Sequence, residues 1–145
     1  MIYLVYTSDA TRPMSERDLE QLLFQSQRNN TRYGITGLLL YTDMKFVQVI
    51  EGEKVNIMNL FENIKSDMRH TNVSVLIKGK ISQRRYPEWY MGYKSMLPEE
   101  VMAKIGYRDP TQYFNDNRIT DESHVYELFM KLFFDKHFNH LQPAN

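Results

Sequence analysis

Three polar side chains stand where the apolar rhythm of this chain calls for a hydrophobe. Tyr6 continues the stripe of Ile2 and Leu4, and Gln48 lies between Phe46 and Ile50. Asn30 closes a helical stripe that begins with Leu19, Leu22 and Leu23. A phenol both donates and accepts a hydrogen bond, and a carboxamide has one donor end and one acceptor end. A buried amide without partners costs about 1–3 kcal/mol, so Gln48 requires one, and the hydroxyl of Tyr6 is a candidate. Together the three describe a polar cluster under two helices, a clamp suited to a flat heteroaromatic ligand. Each also has a purely structural reading: a core tyrosine reaching the rim, a C-capping asparagine, a strand glutamine paired locally.

Other chemistries are poorly supplied. The chain has no cysteine, which removes disulfides, thiolate metal sites, iron–sulfur clusters and a cysteine nucleophile. Of the histidines, only His137 and His140 have a metal-like i,i+3 spacing. No third ligand stands near them, so they read as solvent-facing and no metal is expected. Neither a Walker-type loop nor a Gly-rich dinucleotide fingerprint occurs. Arg84 and Arg85 read either as a phosphate contact or as a solvated basic turn.

The elements that must position the polar cluster follow from periodicity. Residues 2–7 read as a strand ended by Ser8-Asp9, with Ile2, Leu4 and Tyr6 on one face. Ser15 is an N-cap with Glu16 and Asp18 in the first turn of a helix, which Asn29 to Gly34 is expected to break. Residues 35–41 are apolar on both faces and predict an internal strand. Thr42 to Lys45 then turns the chain into a third strand, 46–51. A second helix is expected from about 54 to 68 on Ile57, Leu60, Phe61, Ile64 and Met68. A fourth strand runs from Val73 to Ile77, and a last short one lies near Trp89 to Tyr93. The order β-α-β-β-α-β-β predicts an α+β, ferredoxin-like sheet with both helices on one face. After Pro98 come a short helix (99–105), a loop (106–117) and an amphipathic helix from Asp121 to about Phe138. Residues 1–97 therefore read as the ligand-binding domain. Residues 98–145 read as a C-terminal helical extension that packs on the other sheet face or mediates association.

Bulk composition adds bounds. With 145 residues, 18 Lys+Arg against 18 Asp+Glu, and 42% apolar residues, the chain suits one globular domain and carries no strongly basic footprint. The N-terminus has no basic leader and no apolar run is long enough to span a bilayer, so a cytoplasmic address is expected.

Ser26 to Leu39 (Ser-Gln-Arg-Asn-Asn-Thr-Arg-Tyr-Gly-Ile-Thr-Gly-Leu-Leu), Phe46-Val-Gln-Val-Ile-Glu-Gly52, Asp67-Met-Arg-His70 and Trp89-Tyr-Met91 resemble the BLUF family of flavin-dependent blue-light receptors, in order and at the family's spacing over residues 1–97. The resemblance implies a non-covalent flavin between the two long helices, usually FAD, with FMN presenting the same ring. It implies that Tyr6 is the photochemical electron and proton donor and Gln48 the relay between that phenol and the flavin. It puts Asn30, with Asn29 beside it, at the polar edge of the flavin. Asp67, Arg69 and His70, at the end of the second helix, are expected near the ring or its side chain, and Phe46 and Ile64 flank it. Trp89 and Met91 become the output lever, with ordinary core packing as the alternative.

The function implied is a light-driven switch and not an enzyme, signalling to a separate protein partner or through self-association as a homo-oligomer. The runner-up readings are an RNA- or protein-binding module on the same layout, or a small acylphosphatase-like enzyme. The first lacks the RNP-type basic-aromatic strand, so no direct nucleic-acid partner is expected. The second lacks a phosphate cradle at Ser8-Asp9-Ala10-Thr11.

Overall fold

A computed structural model describes residues 1–42 and 44–87, the backbone of 92–95, and six helical positions near the C-terminus: Tyr126, Met130, Leu132, Phe133, Asp135 and Lys136. The element order is β1 (Ile2–Ala10), α1 (Glu16–Tyr33), β2 (Thr36–Thr42), β3 (Lys45–Gly52), α2 (Lys54–Ser66), β4 (His70–Lys80) and β5 (Gly92–Ser95). The strands form one sheet in the order β4-β1-β3-β2-β5. β1 pairs antiparallel with both β3 and β4, and β3 with β2, while β5 joins β2 in parallel. This is the ferredoxin-like α+β arrangement, extended by one parallel strand.

Alternation along the strands builds two cores. On one face Leu4, Leu39, Phe46 and Ile50 pack against Leu19 and Leu23 of α1 and Ile57 and Phe61 of α2, so both helices cover that face. On the other, Val5, Leu38, Leu40, Val47 and Val49 meet Ile81, Tyr86, Tyr126 and Met130. Each fully buried Leu or Val on these faces contributes roughly 1.5–3 kcal/mol. β2 is buried along its whole length, as its two-sided apolar pattern requires. Gly37 is needed there, because a Cβ at that position would overlap the Val49 carbonyl of β3.

Several boundaries differ from the sequence expectation. β1 does not stop at Ser8-Asp9 but continues to Ala10, because Ser8 and Asp9 still pair with Phe46 and Lys45 of β3. α1 does not break at Asn29. It runs on to Tyr33 and ends at Gly34 in the left-handed conformation (φ 64°), whose N–H donates to the Asn30 carbonyl. Its start matches the sequence signal: the Ser15 hydroxyl accepts from the Asp18 N–H, and the Asp18 carboxylate accepts from the Ser15 N–H. α2 ends at Ser66 and not at Met68, which is left exposed. β4 spans 11 residues in place of the five expected, since an edge strand exposed over much of its length shows little apolar alternation. β5 begins at Gly92. Trp89 and Met91, and most of the extension beyond residue 97, lie outside the described residues. None of the described helices is long and apolar enough to cross a membrane.

One buried carboxylate ties distant segments together on the second face. Glu51 is fully buried. It accepts from the backbone N–H of Arg85 (2.7 Å) and Tyr86 (2.9 Å) and from the hydroxyls of Thr36 and Tyr126. The Tyr126 ring stacks on Tyr3 of β1 with centroids 4.2 Å apart. The C-terminal helical positions are thus held to both central strands.

Candidate functional site: a cavity over the central strands

Between α1, α2 and the sheet lies a cavity of about 330 Å³. Its floor is the pair Tyr6 and Gln48, which are direct cross-strand partners of β1 and β3. Both are at least 95% buried, with exposures of 4% and 5%. The Tyr6 hydroxyl donates to Gln48 Oε1. That bond uses the acceptor end of the amide and turns Nε2, the donor end, away from the phenol. Burial pushes the Tyr6 hydroxyl well above the ordinary phenol range, and the negative charge of Asp67 pushes it further in the same direction. The phenol therefore keeps its proton at neutral pH and can donate it to Gln48 Oε1, which can only accept.

The walls come from both helices. Asn29 and Asn30 stand on the last turns of α1, and Ile64 on the last turn of α2. The polar end of α1, which reads as a helix break, stays helical to Tyr33 and lines this cavity with Asn29 and Asn30. Phe46 lies beside Gln48 on the floor and meets Tyr41 at 4.8 Å between ring centroids.

Asp67 caps the end of α2, as expected, whereas Arg69 lies on the link into β4 and His70 opens that strand. The extended conformation of Asp67 ends the helix early. The Arg69 Nε lies 3.0 Å from both Asp67 carboxylate oxygens, and its Nη2 reaches Gln25 Oε1 of α1 at 3.3 Å. This ion pair holds the Asp67 carboxyl below its usual range, chiefly through the side-chain hydrogen bond. It also bridges the two helices across one side of the cavity.

His70 is fixed at both nitrogens. Nδ1 is 2.8 Å from the Ser8 hydroxyl, and Nε2 meets the Ile64 carbonyl. A carbonyl only accepts, so Nε2 carries a proton and donates it to the Ile64 carbonyl, while Nδ1 is bonded to the Ser8 hydroxyl. The ring stands edge-on to Tyr6 and Phe46, with centroids at 6.4 and 6.2 Å.

The cavity thus gathers Tyr6, Gln48, Asn29, Asn30, Phe46, Ile64, Asp67, Arg69 and His70 around one space. Sequence reasoning missed Gln25, Asn63 and the aliphatic walls Leu22, Leu39 and Leu60. Ser26 also lines the space, and its signal was present as a polar member of the α1 stripe. Asn63 had a weaker one, lying next to Ile64 and three residues from Leu60. Among the described residues no cluster of His, Cys, Asp or Glu could hold a metal ion.

The family model for BLUF, sensors of blue-light using FAD, matches residues 1–92. The chain belongs to the BLUF family. Relatives of this BLUF domain include the photoactivated adenylate cyclase subunit beta of Euglena longa, 42% identical over 101 residues, covering 69% of this chain. The subunit beta of Euglena gracilis is 40% identical over the same length. The chain spans only 11% of the length of either cyclase subunit. Among solved structures, the dark state of the BLUF protein BlrB is 30% identical with a TM-score of 0.66, covering 90% of this chain and 93% of BlrB. A calcium/cy-diGMP complex of Klebsiella pneumoniae BlrP1 is 25% identical with a TM-score of 0.68, covering 93% of this chain and 34% of BlrP1.

Proposed function

We propose that this BLUF domain holds the ring of FAD in the 330 Å³ cavity and converts blue light into a changed hydrogen-bond pattern at Tyr6 and Gln48. The observation that carries the reading is the buried bond from the Tyr6 hydroxyl to Gln48 Oε1 at the cavity floor. The residues fit a flat heteroaromatic group: apolar walls from Leu22, Leu39, Phe46 and Ile64, with amides of Asn29 and Asn30 at one side. A bound flavin would supply blue-light absorption and, when excited, the power to oxidise a nearby phenol.

The chain's own residues do the rest. Tyr6 holds a proton at its hydroxyl, and burial keeps it there until an electron is withdrawn. Loss of an electron makes a phenol strongly acidic, and Gln48 Oε1 is the acceptor in place to receive the proton. Gln48 is suited to switching because rotation or tautomerisation of its amide exchanges a donor for an acceptor on the side that faces the ring. Asn30, fully buried, and Asn29 orient the polar edge of the ring, while Phe46 and Ile64 flank it and exclude water. Asp67, Arg69 and His70 close the side of the cavity where α2 ends, with the His70 ring fixed in place by Ser8 and Ile64.

The domain acts as a switch and carries no catalytic step of its own. Its state is read by protein contact, through an effector protein or a second copy of the chain. Trp89 and Met91 are proposed as the lever, and residues 98–145 as a helical extension that meets the reader. In support, relatives combine this domain with adenylate cyclase, and Tyr126 and Met130 pack on the sheet face opposite the cavity.

Absorption spectra before and after blue light test the reading. The wild-type protein is expected to show a structured flavin band that moves slightly to the red and returns in the dark. Tyr6→Phe and Gln48→Leu are expected to keep the flavin and lose the shift. A normal reversible shift in either variant would remove that residue from its role.

A further inference from the structure

Two clefts leave the rim of the cavity, and they differ in charge. One, of about 280 Å³, runs between α1 and α2 and is lined by Asn56, Asn59 and Asn63 facing Asn29 and Tyr33; no cation borders it. The other is a shallow trough of about 430 Å³ along the outer side of α1, bordered by Gln21, Phe24, Gln25, Arg28, Asn29 and Arg32. Gln25 and Asn29 line both this trough and the cavity, so the two spaces meet at those side chains.

The chemistry of the trough is specific. Positions 21, 25, 28 and 32 recur at steps of four and three, which aligns them along one side of the helix. No acid borders the trough. The cations in ion pairs among the described residues are Arg12, Lys45, Lys65 and Arg69, so Arg28 and Arg32 are left without a carboxylate. At the other end Phe24 leaves 67% of its surface in water, although it is a large apolar side chain.

We propose that this trough receives the pyrophosphate and adenine of a flavin dinucleotide, with Arg28 and Arg32 on the phosphates and Phe24 against the adenine face. The inference rests on the flavin reading of the cavity. Two guanidinium groups one turn apart match a diphosphate in charge and in their paired donors. An exposed aromatic face is a stacking platform for a base of any identity. Gln25 and Asn29 supply amides at the shared rim, where a ribityl chain with its hydroxyls must pass. The asparagine-lined cleft offers hydrogen bonds but no counter-charge, so a diphosphate there would stay unneutralised.

The test titrates riboflavin, FMN and FAD separately against flavin-free full-length chain and follows quenching of flavin fluorescence. Wild type is expected to bind FAD more tightly than FMN, and FMN more tightly than riboflavin. In Arg28→Ala/Arg32→Ala, FMN and FAD affinity is expected to fall about tenfold or more, with riboflavin unchanged. Phe24→Ala is expected to bring FAD down to the level of FMN and leave FMN alone. Equal affinity of the three flavins for wild type, or a double variant that keeps the wild-type preference, would overturn the phosphate assignment while riboflavin binding preserves the flavin reading. An unchanged FAD-to-FMN ratio in Phe24→Ala would overturn the adenine assignment. Failure of wild type to bind any of the three flavins would overturn the flavin reading and this inference with it.

Discussion

A phenol surrounded by apolar side chains loses its proton reluctantly, because the phenolate has no water around it. For Tyr6 burial is the larger cause, and the Asp67 carboxylate adds to it. Linkage turns this into a measurable slope. Where the folded-state pKa exceeds the unfolded one, the native state keeps its proton while the unfolded chain has lost it. Tyr6 therefore contributes stability that is intact below about pH 10 and is lost progressively as the pH rises through the folded-state value. Tyr6→Phe is expected to remove this alkaline loss. Urea midpoints of both proteins between about pH 8 and pH 11 check it: the wild-type advantage over the variant must shrink above about pH 10. Tyr3, whose hydroxyl burial also raises, is common to both proteins and drops out of the difference. The polar residues Tyr6, Gln48 and Asn30 around the cavity are legible in the sequence because each stands at a buried position. Tyr6 and Gln48 break a two-residue apolar rhythm, and Asn30 a helical one.

Elements were less legible wherever one face meets a ligand space or open water. The end of α1 reads as a break because Asn29 and Asn30 face a polar cavity and Thr31, Arg32 and Tyr33 face water. β4 reads as a shorter strand than it is because exposed positions predominate along it. With α2 expected to run to about residue 68 and β4 to start at Val73, His70 reads as part of a helix end, when it opens β4. In contrast the capping box at Ser15 and Asp18 was plain, because capping is local chemistry. Element contacts also set the tolerance to change. Gly37 of β2 lies against the Val49 carbonyl of β3, two residues before Leu39, the partner of Gln48 in the ladder. Gly37→Ala must push β2 away from β3 and is expected to cost about 3 kcal/mol, toward the upper end for overpacking. Urea unfolding of the variant measures the cost. Loss of bound flavin at denaturant concentrations below the main transition is the accompanying sign that the cavity floor has shifted.

At the scale of the whole molecule, Glu51 was invisible to sequence reasoning. A glutamate between Ile50 and Gly52 at a strand end looks like a solvated terminus. Its donors come from Thr36, from the segment at Arg85 and Tyr86, and from Tyr126, 75 residues further along. Glu51→Ala deprives two backbone N–H groups and the Tyr126 hydroxyl of this acceptor. At about 1–3 kcal/mol for each buried group left unsatisfied, a total loss of about 3 kcal/mol or more is expected. Tyr126→Phe leaves the carboxylate its backbone donors and should cost about 1 kcal/mol. Denaturation curves of the two variants rank them, and equal costs would show that the backbone donors contribute nothing. On β3, Phe46, Gln48 and Ile50 look into the helix-covered side, while Val47, Val49 and Glu51 look toward the tail. The strand is therefore a partition one residue thick, with the cavity on one side and the Tyr126 and Met130 contacts on the other. Under the proposed reading, any change at Gln48 that reaches the tail must therefore travel through the backbone of β3 or around its edges, because no side chain of that strand touches both spaces.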